Sequence, residues 1–341
     1  MTSFAEGPPL KLLALDGGGI RGLSELLIIK KVMHRLMFEE NEKRKKNSQE
    51  PLSVLPKPCD YFDLIGGTST GGIIALMLGR LRMDVDTAIE RYNDLAKKVF
   101  STPKRWGDGA FKSTTLEEAM KSVVKTVTGD SESPLIESDP AGVCRTFVCA
   151  KNAHNMDSPV LFRTYQSRET HFNCKIWEAA RATSAAPTFF KRIEIGRNQP
   201  FIDGGLGRNN PSQVVLEEAK ALFGARQIGC LVSIGTGQAK TTEIKEPGIW
   251  QRIIPTGVIG ALKAISTDCE STHQAMLRHF ANLPNTYFRL NVEQGMQKIT
   301  LSKWEKLSNV EAHTDQYMQK VEVAEKLPLL VSALSMEDSL L

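Results

Sequence analysis

Short apolar runs alternate with stretches of helical periodicity along most of the chain. Leu10–Leu15 is a continuous apolar run that predicts a buried strand, and Leu23, Leu26, Leu27, Val32, Leu36 and Met37 then recur at helical spacing. From Glu39 to Glu50 the sequence is dense in charge, and Pro51, Pro56 and Pro58 follow, so an exposed loop is expected there. Tyr61–Ile65 predicts a second strand and Gly71–Leu81 a second helix. Helices are expected over Val85–Phe100, Thr115–Val127 and Ile176–Thr183, with strands over Arg145–Ala150 and Val160–Tyr165. Phe201 and Ile202 lead into Asp203, a helix suits Pro211–Phe223, and Ile228–Ile234 reads as a buried strand before Gly235, Thr236 and Gly237. The remainder predicts a helix over Ile253–Phe280, a strand over Thr286–Val292 and one helix over Asn309–Leu327.

This alternation predicts an α/β fold, a central and mostly parallel sheet with helices on both faces. The expected organisation is an N-terminal extension over residues 1–9, a single domain over 10–330, and a tail over 331–341 that lacks periodicity beyond Ser332. With 341 residues, 41% hydrophobic and 24% charged, the chain is long enough for a large core. A formal charge of +4 is a mild basic excess, which favours approach to anionic lipid headgroups but falls short of a nucleic-acid footprint. The six cysteines form no C-x-x-C pair or metal-finger spacing, so free thiols in a reducing compartment are expected. Met1–Pro9 does not resemble a secretory signal, and Leu64–Gly79 is too short and polar to span a bilayer. A cytoplasmic location with reversible, peripheral membrane contact is the resulting expectation.

Three glycine-rich clusters carry the candidate chemistry. Gly67, Thr68, Ser69, Thr70 and Gly71 spell G-x-S-x-G between a predicted strand and a predicted helix, the setting of a nucleophile elbow with Ser69 at its apex. Small flanking residues let the turn tighten and an acyl carbon approach the hydroxyl, while the following helix directs its N-terminal dipole at developing negative charge. Asp16-Gly17-Gly18-Gly19-Ile20-Arg21-Gly22 likewise follows a strand and opens a helix, so several backbone N–H groups are free to face an anion. That anion is either a tetrahedral oxyanion or a pyrophosphate. Gly17, Gly19 and Gly22 formally satisfy G-x-G-x-x-G, and Glu39 or Glu40 lies about 20 residues downstream as a dinucleotide-binding acid would. Neither cluster continues into Gly-Lys-Ser/Thr, which disfavours a P-loop.

The third cluster, Asp203, Gly204 and Gly205, sets a carboxylate at the end of a short apolar segment. Chain order alone permits a triad of Ser69, Asp203 and a later histidine, although His34, His154, His171, His273, His279 and His313 all lie outside recognisable motifs. Together the clusters resemble the patatin-like phospholipases: 16–22 looks like that family's oxyanion loop, 67–71 like its elbow and 203–205 like its Asp-Gly-Gly/Ala motif. Ala182–Phe190 and the pair Asn210–Pro211 add to the likeness, which covers about residues 10–330.

The resemblance implies a Ser69–Asp203 dyad without a histidine, Gly17, Gly18, Gly19 and Arg21 as the oxyanion hole, no cofactor and no metal. It also implies a membrane or micellar glycerolipid as substrate and hydrolysis of its acyl ester through an acyl-enzyme on Ser69. Transfer of the acyl group to another alcohol is the close alternative, and a dinucleotide-binding oxidoreductase the distant one. Glu39–Lys57 and Ser101–Lys112 match nothing in the family pattern.

Overall fold

The computed structural model describes residues 7–104, 109–137, 144–167, 172–238 and 256–335. At its centre β1 (Leu10–Leu15) buries alternate residues on opposite faces: Leu13 and Leu15 enter one core, Leu10, Leu12 and Ala14 the other. A strand apolar on both faces belongs in the middle of a covered sheet, and β1 pairs in parallel with β2 (Leu64–Thr68) on one side and β7 (Ile228–Ile234) on the other. The remaining strands are β3 (Arg145–Asn152), β4 (Asn155–Arg163), β5 (Ile193–Ile195), β6 (Gln199–Asp203) and β8 (Tyr287–Leu290). They complete an eight-stranded sheet of order β5-β6-β3-β2-β1-β7-β8, with β4 paired to β3. β2–β3 and β7–β8 are parallel, whereas β4 and β6 run antiparallel to β3 and β5 antiparallel to β6.

Helices cover both faces, as the alternation predicts. On one side lie α1 (Leu23–Lys46), α2 (Thr70–Ala75), α3 (Val85–Phe100), α4 (Ser113–Thr128), α5 (Ile176–Thr183), α9 (Leu307–Met318) and α10 (Val321–Ser335). After the short turn α6 (Gly205–Arg208), α7 (Ser212–Phe223) and α8 (Thr256–His279) take the opposite face, through Val214, Val215 and Met276, joined by Phe280 just past the end of α8. Residues 253–255, expected at the start of α8, lie outside the described residues. All six cysteines are free. No helix among the described residues is long and apolar enough to cross a membrane.

Four expectations need correction. The second strand is Leu64–Thr68 instead of Tyr61–Ile65, because a turn of 3-10 helix at Pro58–Asp60 carries the chain past Tyr61 before pairing with β1 begins. The charged run expected as a loop from Glu39 is helical to Lys46. Its Glu, Lys and Arg residues are good helix formers, Arg35–Glu39 and Glu40–Arg44 pair one turn apart at 3.0 Å, and the basic residues gather at the C-terminal end of the dipole. Beyond Leu36 the helix buries nothing, so no hydrophobic stripe announces it. The single C-terminal helix is two, broken at Gln319–Lys320, so that Val310 and Tyr317 of α9 and Val323, Leu330, Val331 and Leu334 of α10 reach the core from different axes. The last of these continues helically to Ser335, past the point where periodicity fades in the sequence. Finally, β4 occupies Asn155–Arg163 instead of Val160–Tyr165, because a two-residue connection folds it back directly on β3.

Candidate active site

β3 organises the site. Its Cys149 is paired with Thr68, the last residue of β2, and the next residue, Ala150, with Asp203, the last residue of β6. Because β4 occupies the other edge of β3, β2 and β6 lie end to end along one edge and run toward each other. Residues 69 and 203, 134 positions apart in the chain, are thereby brought together.

Ser69 has φ 55° and ψ −123°, a conformation that strains a residue with a side chain by about 1–3 kcal/mol. It is over-determined by its neighbours. The Ser69 N–H donates to Thr183 Oγ1 at 2.8 Å, and that hydroxyl donates onward to the Cys149 carbonyl at 2.7 Å. Thr68 Oγ1 donates to the Arg208 carbonyl at 2.7 Å, tying the elbow to α6. Both flanking glycines are held against backbone: a Cβ on Gly67 would overlap the Gly71 carbonyl, and one on Gly71 the carbonyls of Leu15 and Asp16. Thr70 begins α2, whose axis starts beneath the serine.

Asp203 is 4% exposed. Burial pushes its pKa up to about 7, while the Ser69 hydroxyl and the Gly205 N–H, hydrogen-bonding partners of the carboxylate, oppose the shift. The Gly205 N–H donates to Asp203 Oδ1 at 2.7 Å, and the Asp203 N–H to the Ala185 carbonyl at 3.1 Å. Gly204 lies so close to β3 that a Cβ would press on the Cys149 carbonyl. Among the described residues, no histidine hydrogen-bonds to Ser69 or Asp203; His273, for example, faces Tyr287 at 3.0 Å. His171 lies outside the described residues.

The glycine loop passes alongside the serine, with Gly17 packed against Ser69 Cβ. Its amides are unequally committed. The Gly17 N–H donates to the Asn209 carbonyl at 3.1 Å, that of Ile20 to the Leu301 carbonyl at 2.9 Å, and that of Arg21 to the Gly18 carbonyl at 3.2 Å. Among the described residues, the Gly18 and Gly19 N–H groups have no acceptor. The Gly19 carbonyl is held by Tyr92 Oη at 2.5 Å and Thr70 Oγ1 at 3.1 Å. At the base of the loop, buried Asp16 receives both ends of the Arg289 guanidinium at 3.0 and 2.6 Å. Burial raises the Asp16 pKa against the opposing Arg289 charge, and it raises that of the neighbouring Glu25, on the first turn of α1, far more strongly.

The Arg21 side chain is half-buried beside the loop: burial lowers its pKa, and its Nε is buried without a hydrogen-bond partner among the described residues. Glu39 and Glu40 lie within α1 and pair with Arg35 and Arg44, not at the end of a second strand where a ribose-binding acid belongs, which removes the dinucleotide reading. An apolar cleft opens from Ser69 and Gly19 between α3, α4 and the 186–190 segment, walled by Leu95, Val99, Phe100, Leu116, Phe189 and Phe190. No group of metal-ligating side chains occurs among the described residues.

A family model described as patatin-like phospholipase matches residues 13–216, a span that contains the glycine loop, the elbow and Asp203. The chain belongs to the patatin-like phospholipase family. Relatives within and around it include the calcium-independent phospholipase A2-gamma of Rattus norvegicus, 29% identical over 98% of this chain and 42% of its own length. Patatin-like phospholipase 1 of Plasmodium falciparum is 29% identical over 83% of this chain and 43% of its own, and phospholipase A I of Arabidopsis thaliana is 29% identical over 83% and 24%. The chain thus spans less than half the length of these relatives. Among solved structures, VipD from Legionella pneumophila aligns over 92% of this chain and 67% of its own at a TM-score of 0.43 and 11% identity.

Motif spacing pointed to Ser69, Asp203 and the glycine loop but not to the residues that hold them. Tyr92, Asn209, Thr236 and Arg289 meet the motifs only through tertiary contacts, and Thr183, although within the Ala182–Phe190 segment, has no spacing that foretells its bond to Ser69.

Proposed function

We propose that the protein is a lipid acyl hydrolase that cleaves fatty-acyl esters of glycerolipids presented by a membrane or micelle, with Ser69 as nucleophile and Asp203 as its direct base. The observation that carries this reading is the pairing of a buried carboxyl of pKa about 7 with a serine held at positive φ on the floor of an apolar cleft. An ordinary aspartate is too weak a base for an alcohol. One whose pKa sits near neutrality is ionised at pH 8 and basic enough to take the Ser69 proton as the C–O bond forms.

The acyl chain lies along the Leu95, Val99 and Phe100 wall, and the ester carbonyl faces Ser69. Attack by Ser69 Oγ moves the carbonyl π electrons onto oxygen, and that oxyanion meets the Gly18 and Gly19 N–H groups at the start of the first helical turn. Gly17 and Arg21, whose N–H groups already donate to the Asn209 and Gly18 carbonyls, shape the oxyanion hole and do not donate to it. Collapse of the tetrahedral species expels the alkoxide, which takes its proton from the protonated Asp203. Asp203 then takes a proton from water as its oxygen attacks the acyl carbonyl, and it returns that proton to Ser69 Oγ as the Oγ–acyl bond breaks, which releases the fatty acid and restores both residues.

Treatment with a fluorophosphonate probe tests this assignment. A single adduct on the peptide carrying Ser69, with labelling and ester hydrolysis both lost in a folded Ser69→Ala protein, is the expected result. Turnover that survives the substitution contradicts it.

A further inference from the structure

Resting on that reading of the site, we infer that Thr236 and Asn209 are positioning residues of the oxyanion loop: they grip the Gly17 carbonyl from behind and so aim the Gly18 N–H at the reacting oxygen. The Gly17 carbonyl and the Gly18 N–H belong to one planar trans peptide unit and point in opposite directions. Whatever fixes the carbonyl therefore fixes the donor. Thr236 Oγ1 donates to the Gly17 oxygen at 2.9 Å and Asn209 Nδ2 at 3.0 Å, so that oxygen accepts two hydrogen bonds.

Both side chains are buried, at 4% and 3% exposure, where a hydrogen bond left unmade costs about 1–3 kcal/mol. A flip of the peptide would forfeit two of them. Donation into the carbonyl also polarises the unit and strengthens its N–H as a donor. Contact is close enough that a Cβ on Gly18 would run into the Thr236 side chain, and one on Gly17 into Asn209 Oδ1. Neither residue lines the apolar cleft.

Each comes from a different element. Thr236 follows β7, and Asn209 follows α6, six residues beyond Asp203. Asn209 is itself anchored: its carbonyl accepts from the Gly17 N–H at 3.1 Å, its own N–H donates to Asp268 Oδ2 at 2.7 Å, and its Nδ2 also reaches Cys269 Sγ at 3.0 Å. The segment carrying the base and the loop carrying the oxyanion donors are thus joined through a reciprocal pair of hydrogen bonds between Asn209 and Gly17.

The test compares Thr236→Val, which keeps the shape and deletes the donor, with Thr236→Ser, which keeps the donor. With a soluble short-chain p-nitrophenyl ester, the valine variant is expected to lose about 10- to 100-fold in kcat with KM changed by less than about threefold, and the serine variant to stay within about threefold of wild type. A trifluoromethyl ketone, whose adduct carries the oxyanion, should lose affinity by the same factor as kcat/KM, which a merely structural defect would not produce. Where the valine disturbs Gly18, Thr236→Ala supplies the same comparison without the extra methyl. A folded valine or alanine variant with kcat within twofold of wild type overturns the inference. Ser69→Ala run in the same assay separates the two claims: an inactive Ser69→Ala beside an unimpaired Thr236→Val sinks only the positioning role, whereas an active Ser69→Ala sinks the functional reading beneath it.

Discussion

Asp203 is held as a partly protonated acid near neutrality, and that has a cost in stability. Its folded-state pKa of about 7 lies above that of an unfolded aspartate, so the folded protein retains a proton that the unfolded chain loses. As pH rises from about 4 toward 7 the unfolded state is therefore favoured, by as much as about 4 kcal/mol at and above pH 7. Asparagine keeps an oxygen to accept the Gly205 N–H and carries no charge to desolvate. Asp203→Asn should accordingly raise the Tm at pH 8 by several degrees and much less at pH 5. A Tm difference that is independent of pH would show that Asp203 ionises in the folded protein as it does in the unfolded chain. At this scale the sequence is readable where chemistry is written into adjacent residues, as in Gly67–Gly71 and Asp203–Gly205. It is silent where chemistry depends on a distant partner: Tyr92 reaches Gly19 across 73 positions, Thr183 reaches Ser69 across 114, and Arg289 reaches Asp16 across 273.

Among elements, the elbow joins β2 to α2 at a distance from β1 that admits no side chain. Gly71→Ala would drive a methyl into the Leu15 and Asp16 carbonyls, backbone at the end of the central strand that cannot swing aside. The expected cost is at least about 2 kcal/mol, visible as a lower urea midpoint with unchanged m-value. An unshifted midpoint would mean that β1 and α2 are not packed this closely. Element boundaries were legible where burial wrote a period into the chain: α3, α5 and β7 begin and end where apolar spacing places them. The outer half of α1 was not, because its helix rests on i,i+4 ion pairs and intrinsic propensity, and a charge-rich helix and a charge-rich loop have the same composition. The break between α9 and α10 was hidden for a related reason, since apolar positions continue through it and only the axis changes.

In the whole molecule, the sheet brings the site together by placing β2 and β6 end to end on β3, an arrangement that no alternation of strands and helices foretells. The same architecture disperses the described histidines: His34 lies on α1, His154 between β3 and β4, His273 and His279 on α8, and His313 on α9. The central claim is that Asp203 alone takes the Ser69 proton. Its most direct measurement is ester turnover by folded Asp203→Asn, set beside separate alanine substitutions at His34, His154, His171, His273, His279 and His313. The amide preserves the shape of the carboxylate but cannot accept a proton, so its turnover should fall nearly to the level of Ser69→Ala while each histidine variant keeps most of its activity. A single folded histidine variant as inactive as Ser69→Ala, with Asp203→Asn retaining measurable turnover, would contradict the account and make the site a triad.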